Sequence, residues 1–294
     1  MLAGFSLALL SALPACRADQ DGPDGNLFQG ELADAPYAAD AMCLSLSDAP
    51  YSNIELTGSG IYFIEQKLDG NEDYTGKRMF KAHALTRGWT PGSTIIAGTF
   101  EKLADGSYDL KEFGILKWDV ATGTVTVDLE GGGGDYVWDA TLLSNVPSNK
   151  LNDRLCRTWK FFEARVEFYD DDNRLLESVS LTPQQIANDY VDYFTFTRSG
   201  RMYEYEDDSW TLYRWSWSNA SRQIILTVGE YEEDGDGMVQ LYFKDDIMEI
   251  MIPSILEEEG DSYEYEAMGI SVPENTKLVK EWLKCRPYKT GDEI

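Results

Sequence analysis

Residues 210–217, Trp-Thr-Leu-Tyr-Arg-Trp-Ser-Trp, carry the side chains best suited to recognising a molecule. In a strand, alternation puts Tyr213, Trp215 and Trp217 on one face and Trp210, Leu212, Arg214 and Ser216 on the other. If the first set lines a cavity, it is a platform for a small apolar ligand or a glycan; if it meets packed neighbours, it is core. Candidates for catalysis are scarce. The single histidine, His83, leaves no serine-type triad, no usual general base and no usual zinc or copper site. Gly131 to Gly134 lack the following Lys-Ser/Thr and the helix of a phosphate-binding loop, and read as a hairpin tip. Asp234-Gly235-Asp236-Gly237 lacks the further ligands and closing Glu of a calcium loop, and reads as a turn. The chain has 52 acidic residues, so carboxylate pairs arise by chance. None stands in the setting of a glycoside-cleaving pair. No catalytic residue, metal ligand or cofactor is therefore assigned, and a protein without catalytic activity is expected.

The elements that position these residues are mostly strands. At 294 residues, about two domains are expected. An apolar share of 43% with 13% aromatics supports packed cores. The formal net charge of −27 repels nucleic acid and anionic headgroups and suits a solvated exterior. In the first half, Ile54 and Leu56, the turn Gly58-Ser59-Gly60 and residues 61–64 spell a hairpin, followed by a polar loop at 69–73. A strand is expected over 94–101, a turn at Asp105-Gly106, alternation through Val125, Val127 and Leu129, and a last strand at 136–138.

In the second half, residues 155–169 read as one strand, or two separated by a bulge. Thr182-Pro183-Gln184-Gln185 has the form of a capping box with Pro at the first helical position, predicting a short helix to about Tyr190. Residues 224–228, 239–243 and 247–252 supply three more strands of a meander. Two phrases recur. Thr-x-Ser-Gly before a strand stands at Thr57 to Gly60 and at Thr197 to Gly200. Val-Pro leading to Cys-Arg-x-aromatic-Lys stands at residues 146–160 and 272–289. Diverged tandem copies of one β domain follow. In the first junction Leu151 and Leu155 make a short helical or extended closure. In the second, Leu278, Val279, Trp282 and Leu283 have the spacing of an amphipathic helix.

The succession of a Trp-Lys-Phe opening strand, a helix, the Thr-x-Ser-Gly hairpin, the Trp-x-Trp strand and two short apolar strands resembles the lipocalin-like domains of bacterial lipoproteins, over about residues 155–253. The resemblance implies an up-and-down barrel able to hold one small apolar ligand where side chains do not fill it. Residues 2–13 form an apolar run of signal-peptide length, too short to span a bilayer. Leu13-Pro14-Ala15-Cys16 after it resembles the lipobox of bacterial lipoprotein signal peptides, implying cleavage before Cys16 and lipidation there. An ordinary secretory signal with a coincidental cysteine is the alternative. The acidic, turn-rich stretch after Cys16 resembles signals for display on the Gram-negative outer membrane.

The expectation is thus an all-β protein of two tandem antiparallel meander or barrel-like domains with one or two short helices. Residues 1–15 are a signal peptide, 16–36 a tether, 37–147 the first domain, and 148–294 a lipocalin-like domain ending in a helix. With Cys16 lipidated, Cys43, Cys156 and Cys285 remain. Cys156 and Cys285 hold matching places in the two junctions, so they either pair as a disulfide or pack as thiols. The function expected is that of a lipid-anchored surface binding protein at the outer membrane, holding a small apolar ligand or glycan at Tyr213, Trp215 and Trp217. An accessory subunit of an outer-membrane complex is the alternative.

Overall fold

The computed structural model describes residues 41–66, 95–130, 135–143, 145–189, 193–206, 209–229, 236–256 and 262–288. The expectations at Cys16 and its flanks, His83, the loop at 69–73, the four glycines at 131–134 and Asp234-Gly235 lie outside these residues.

Eight strands come first: β1 (Met42–Ser47), β2 (Tyr51–Leu56), β3 (Ile61–Gln66), β4 (Ile95–Lys102), β5 (Tyr108–Leu110), β6 (Gly114–Asp119), β7 (Thr124–Leu129) and β8 (Asp135–Leu143). They form a closed antiparallel barrel in chain order, sealed where Cys43 pairs with Leu143 and Ser47 with Asp139. Helix α1 (Lys150–Leu155) follows, then β9 (Thr158–Tyr169), β10 (Leu175–Ser180), α2 (Pro183–Asp189), β11 (Tyr193–Phe196), β12 (Arg201–Glu206), β13 (Ser209–Asn219), β14 (Ile224–Gly229), β15 (Asp236–Lys244), β16 (Ile247–Ile255), α3 (Tyr263–Ala267) and β17 (Leu278–Pro287). Here the sheet order is β10-β9-β11-β12-β13-β14-β15-β16-β17, and β9 also pairs with β17. A second eight-stranded barrel closes, with β10 appended to β9. The fold is all-β, as expected, with three short α-helices among the described residues.

By compactness the chain divides into two units that do not follow a single cut. One comprises the described residues of Ala35–Thr158 and Phe194–Leu212, together with Tyr288; the other those of Trp159–Tyr193 and Tyr213–Pro287.

The core of the first barrel follows from alternation. Leu44, Ile54, Leu56, Tyr62, Ile64, Leu110, Leu116, Val125 and Val127 are all 2% exposed or less, joined by Tyr51, Phe113 and Trp138. Tyr51 meets the edges of Phe113 at 5.6 Å and Trp138 at 5.9 Å. Tyr62 lies opposite Gly98, where a Cβ would fall 2.5 Å from its ring; a glycine there makes room for the aromatic side chain. Its hydroxyl donates to the Lys111 carbonyl at 2.9 Å, satisfying a polar group inside the barrel.

Local signals were reliable where a short stretch decides its own geometry. Thr57 and Thr197 build the same turn. Each hydroxyl donates to the carbonyl of the residue opening the next strand, Ile61 at 2.8 Å and Arg201 at 3.0 Å, and accepts from the same residue's N–H. Gly60 and Gly200 take φ values of 78° and 85°, where a side chain is disfavoured. The capping box at α2 is complete: Gln185 N–H donates to Thr182 Oγ1 at 3.3 Å, and Gln185 Oε1 accepts from Thr182 N at 3.0 Å.

Two expectations change, and a third point, left open between two alternatives, is decided. The amphipathic helix over Leu278 to Leu283 is instead strand β17. It finds backbone partners on both sides, β16 and β9, and this pairing outweighs helical spacing. Leu278 and Trp282 face the side opposite Val279 and Leu283. Trp282 is covered by the Arg165 guanidinium, 4.6 Å from its ring. The opening strand begins at Thr158, because Leu155 ends α1, whose N-cap Asn149 accepts from the Asn152 N–H; β9 is then one strand with a register shift opposite Lys284 and Cys285. The Cys156–Cys285 disulfide is not formed: both are free buried thiols, Cys156 at the C-cap of α1 in one unit and Cys285 on β17 in the other.

Candidate functional site in the second barrel

The inward face of the second barrel can be followed strand by strand, because directly opposed residues project from the same side of a sheet. On β13 and β14, Tyr213 opposes Gly229, Trp215 opposes Thr227 and Trp217 opposes Ile225. Ile225 opposes Val239 on β15. On β17, Glu281 opposes Ile252 of β16 and Val166 of β9, while Leu283 opposes Ile250 and Ala164. Ile225 and Val166 are fully buried, and Ile250 and Leu283 nearly so, so this is the interior. Arg214, Ser216 and Ser218, on the other face of β13, are exposed. Tyr213, Trp215 and Trp217 therefore share one face, as alternation predicts, and it points inward.

One part of this interior is filled. Trp159, Leu241, Met248 and Cys285 have no exposed surface, and the rings of Trp159 and Phe243 lie 6.1 Å apart. Other inward positions, Tyr213, Trp217, Thr227, Val239, Ile252 and Glu281, are half-buried, interspersed with the fully buried Ile225 and Val166. Trp215 is buried, 4% exposed, and stands edge-on to Trp217 at 5.9 Å. The half-buried rings of Tyr213 and Trp217 on this face can receive a flat or apolar group by stacking.

Helix α3 adds a polar element. Tyr265, 4% exposed, packs edge-on against Phe168 at 5.8 Å and donates its hydroxyl to Glu281 Oε1 at 2.9 Å. Gln185 of α2 holds the end of α3 by donating to the Met268 carbonyl at 2.7 Å. Sequence reasoning missed both Tyr265 and Glu281. The signal for Glu281 was its place between Val279 and Leu283 at strand spacing, hidden by the helical reading of that segment.

The unit containing the first barrel holds a second polar cluster, also missed. Glu55, 3% exposed, accepts at Oε2 from the hydroxyls of Ser199 at 3.0 Å and Tyr203 at 3.1 Å. Burial pushes its carboxyl up to about 7, against the opposing pull of Arg201 and the neighbouring hydroxyls. Glu65 accepts from Arg201 Nε at Oε1 and from Asn53 Nδ2 at Oε2, the latter at 2.6 Å. Beside them the Phe63 and Tyr203 rings stack at 3.8 Å and 2°. Phe63 and Tyr203 stand the same number of residues beyond Thr57 and Thr197, so equivalent residues of the two repeated hairpins meet each other. Glu65 pairs with the Arg201 guanidinium, and Glu55 lies within its electrostatic reach. The arrangement holds hairpins together.

Burial also pushes the thiols of Cys43, Cys156 and Cys285 up, which makes them poor nucleophiles at neutral pH. Among the described residues no group of three or more His, Cys, Asp or Glu is placed to hold a metal ion, and no helix is long and apolar enough to cross a membrane. Comparison with protein-family models, curated proteins and solved structures yields no match.

Proposed function

We propose that this chain is a lipid-anchored surface protein of a Gram-negative outer membrane, whose lipocalin-like second barrel holds a small apolar ligand or glycan and performs no chemistry on it. The observation that carries the reading is the inward aromatic face of Tyr213, Trp215 and Trp217, on which Tyr213 and Trp217 stay half-buried beside the half-buried Thr227 and Val239, a surface on which a flat or apolar group can stack. Lipidation at Cys16 supplies the anchor in this account, and rests on the Leu13-Pro14-Ala15-Cys16 resemblance alone.

The test is native mass spectrometry of the full chain extracted in mild detergent, combined with titration of a neutral aromatic fluorophore. A retained small molecule, or saturable uptake that Trp217→Ala weakens about tenfold while surface display is unchanged, supports the proposal. Neither retention nor uptake by the natural chain overturns it.

The accessory-subunit reading draws on one feature. Strand β10 ends the sheet order, and its Leu175 and Leu176 are 53% and 40% exposed, the profile of an edge able to receive a partner's strand. Recovery of a stoichiometric protein partner by cross-linking, lost on Leu175→Lys, would favour it over ligand storage.

A further inference from the structure

Cys43, Glu55 and Phe63 oppose one another across β1, β2 and β3, on the face turned away from the core residues Leu44, Ile54 and Tyr62. The outer wall of a barrel ordinarily meets water. This row does not: Cys43 is 2%, Glu55 3% and Phe63 0% exposed. The groups that engage it come from one segment of the same compact unit, the Thr197–Gly200 turn and β12. Arg201 Nη1 donates to Cys43 Sγ at 3.9 Å, the hydroxyls of Ser199 and Tyr203 donate to Glu55, and the Tyr203 ring stacks on Phe63.

Arg201 brings one positive charge within reach of two carboxylates. Its Nε donates to Glu65 Oε1, while Asn53 Nδ2 and Ser52 Oγ donate to Oε2 at 2.6 and 3.1 Å. Glu55 is bonded instead by neutral hydroxyls. Ionised, it would be a buried charge with no cation bonded to it; protonated, it suits its surroundings. The titratable and charged groups around it are Cys43 from β1, Glu65 from β3, Arg201 and Tyr203 from β12, and Cys156 at the end of α1. Burial pushes both thiols and the phenol up, so these stay neutral through the neutral pH range, and the guanidinium keeps its charge. We infer that the contact is a proton-controlled latch: a proton on Glu55 keeps β12 and its turn docked on the outer wall of β1, β2 and β3, and loss of that proton loosens them. The latch is independent of the binding function proposed above.

Cys43 reports its state, because the thiol beneath Arg201 becomes reachable when β12 lifts. The test is the rate at which iodoacetamide alkylates Cys43 in the full chain, read by mass spectrometry from about pH 5.5 to 8.5, in the natural protein and in Glu55→Gln. The ratio of the two rates cancels the thiol's own pH-dependent reactivity. Since Glu55 titrates at about 7 when docked against its ordinary 4.5, the natural-to-variant ratio is expected to rise about thirtyfold over that range. Low urea should leave the rate unchanged, because a local opening exposes little surface. A constant ratio overturns the inference. So does a urea dependence as steep as that of global unfolding, which would make Glu55 a determinant of overall stability and not of a latch. Should Glu55→Gln not fold, Ser199→Ala serves instead. With one donor to the carboxylate gone, the ionised form is tolerated still less, so the ratio of its rate to the natural rate should grow with pH; a flat or falling ratio counts against the latch.

Discussion

The two barrels share strand number, strand order and the hairpin built on Thr-x-Ser-Gly, yet their interiors differ. In the first, Leu56, Tyr62, Phe113, Leu116 and Val127 converge with essentially no exposed surface, and even Gly98 serves to admit the Tyr62 ring. In the second, the part around Trp159, Leu241 and Cys285 is similarly dry, but the inward positions of Tyr213, Trp217, Thr227 and Glu281 stay half-buried. Backbone closure therefore does not by itself decide capacity. The inward side chains do: the partly buried ones include the apolar Met42, Ile96, Phe100 and Trp118 in the first barrel, and the polar Thr227 and Glu281 in the second.

The largest effect that would test this contrast is Phe113→Ala in the first barrel. Removing a ring that is 1% exposed from a filled interior should cost about 3–5 kcal/mol in urea denaturation. A loss below about 1 kcal/mol would show that the first interior is loose.

Next comes the polar cluster on the hairpin β2–β3. Glu55 titrates near 7 in the folded chain against its ordinary 4.5. The folded state thus binds more protons than the unfolded one between those values. Its contribution is fully present below about pH 4.5, falls as pH rises through 7, and amounts to about 3 kcal/mol in all. Glu55→Gln should flatten that part of the stability-versus-pH curve measured from pH 4.5 to 8. An unaltered slope would place the titration elsewhere.

Smaller effects probe the symmetry between the barrels. Thr57→Val and Thr197→Val remove equivalent turn hydroxyls, each bonded to the opening residue of the next strand, and should each cost about 1 kcal/mol. Unequal losses would show that the repeated turns are not energetically equivalent. The smallest effect is expected from Trp217→Ala. Its half-buried ring already meets solvent, so thermal denaturation should register a loss below about 1.5 kcal/mol, well under that of Phe113→Ala, even as ligand uptake falls.

Much of the architecture was legible because strands and turns are written locally. The alternation of Val125, Val127 and Leu129, the Thr-x-Ser-Gly turns and the Thr182–Gln185 capping box each depend on a few adjacent residues, and each appears where its pattern lies. The face shared by Tyr213, Trp215 and Trp217 was legible for the same reason. Residues 278–283 were not. Their apolar positions satisfy a helical stripe and a strand covered on both faces alike, and only the pairing of β17 with β9 and β16 decides between them. The Glu55, Glu65, Arg201 and Tyr203 cluster was equally hidden, since its members lie far apart in the chain and no spacing marks them.

By itself the sequence determined an all-β, strongly acidic chain with repeated hairpins and one inward-capable aromatic strand, because alternation, turn chemistry and charge are properties of neighbouring residues. Tertiary structure alone decided that Glu281 lies on the inward face of β17 between Ile252 and Val166, and that Cys156 and Cys285 remain separate thiols. Those outcomes depend on which distant strands become neighbours, and that is settled by the closure of each barrel.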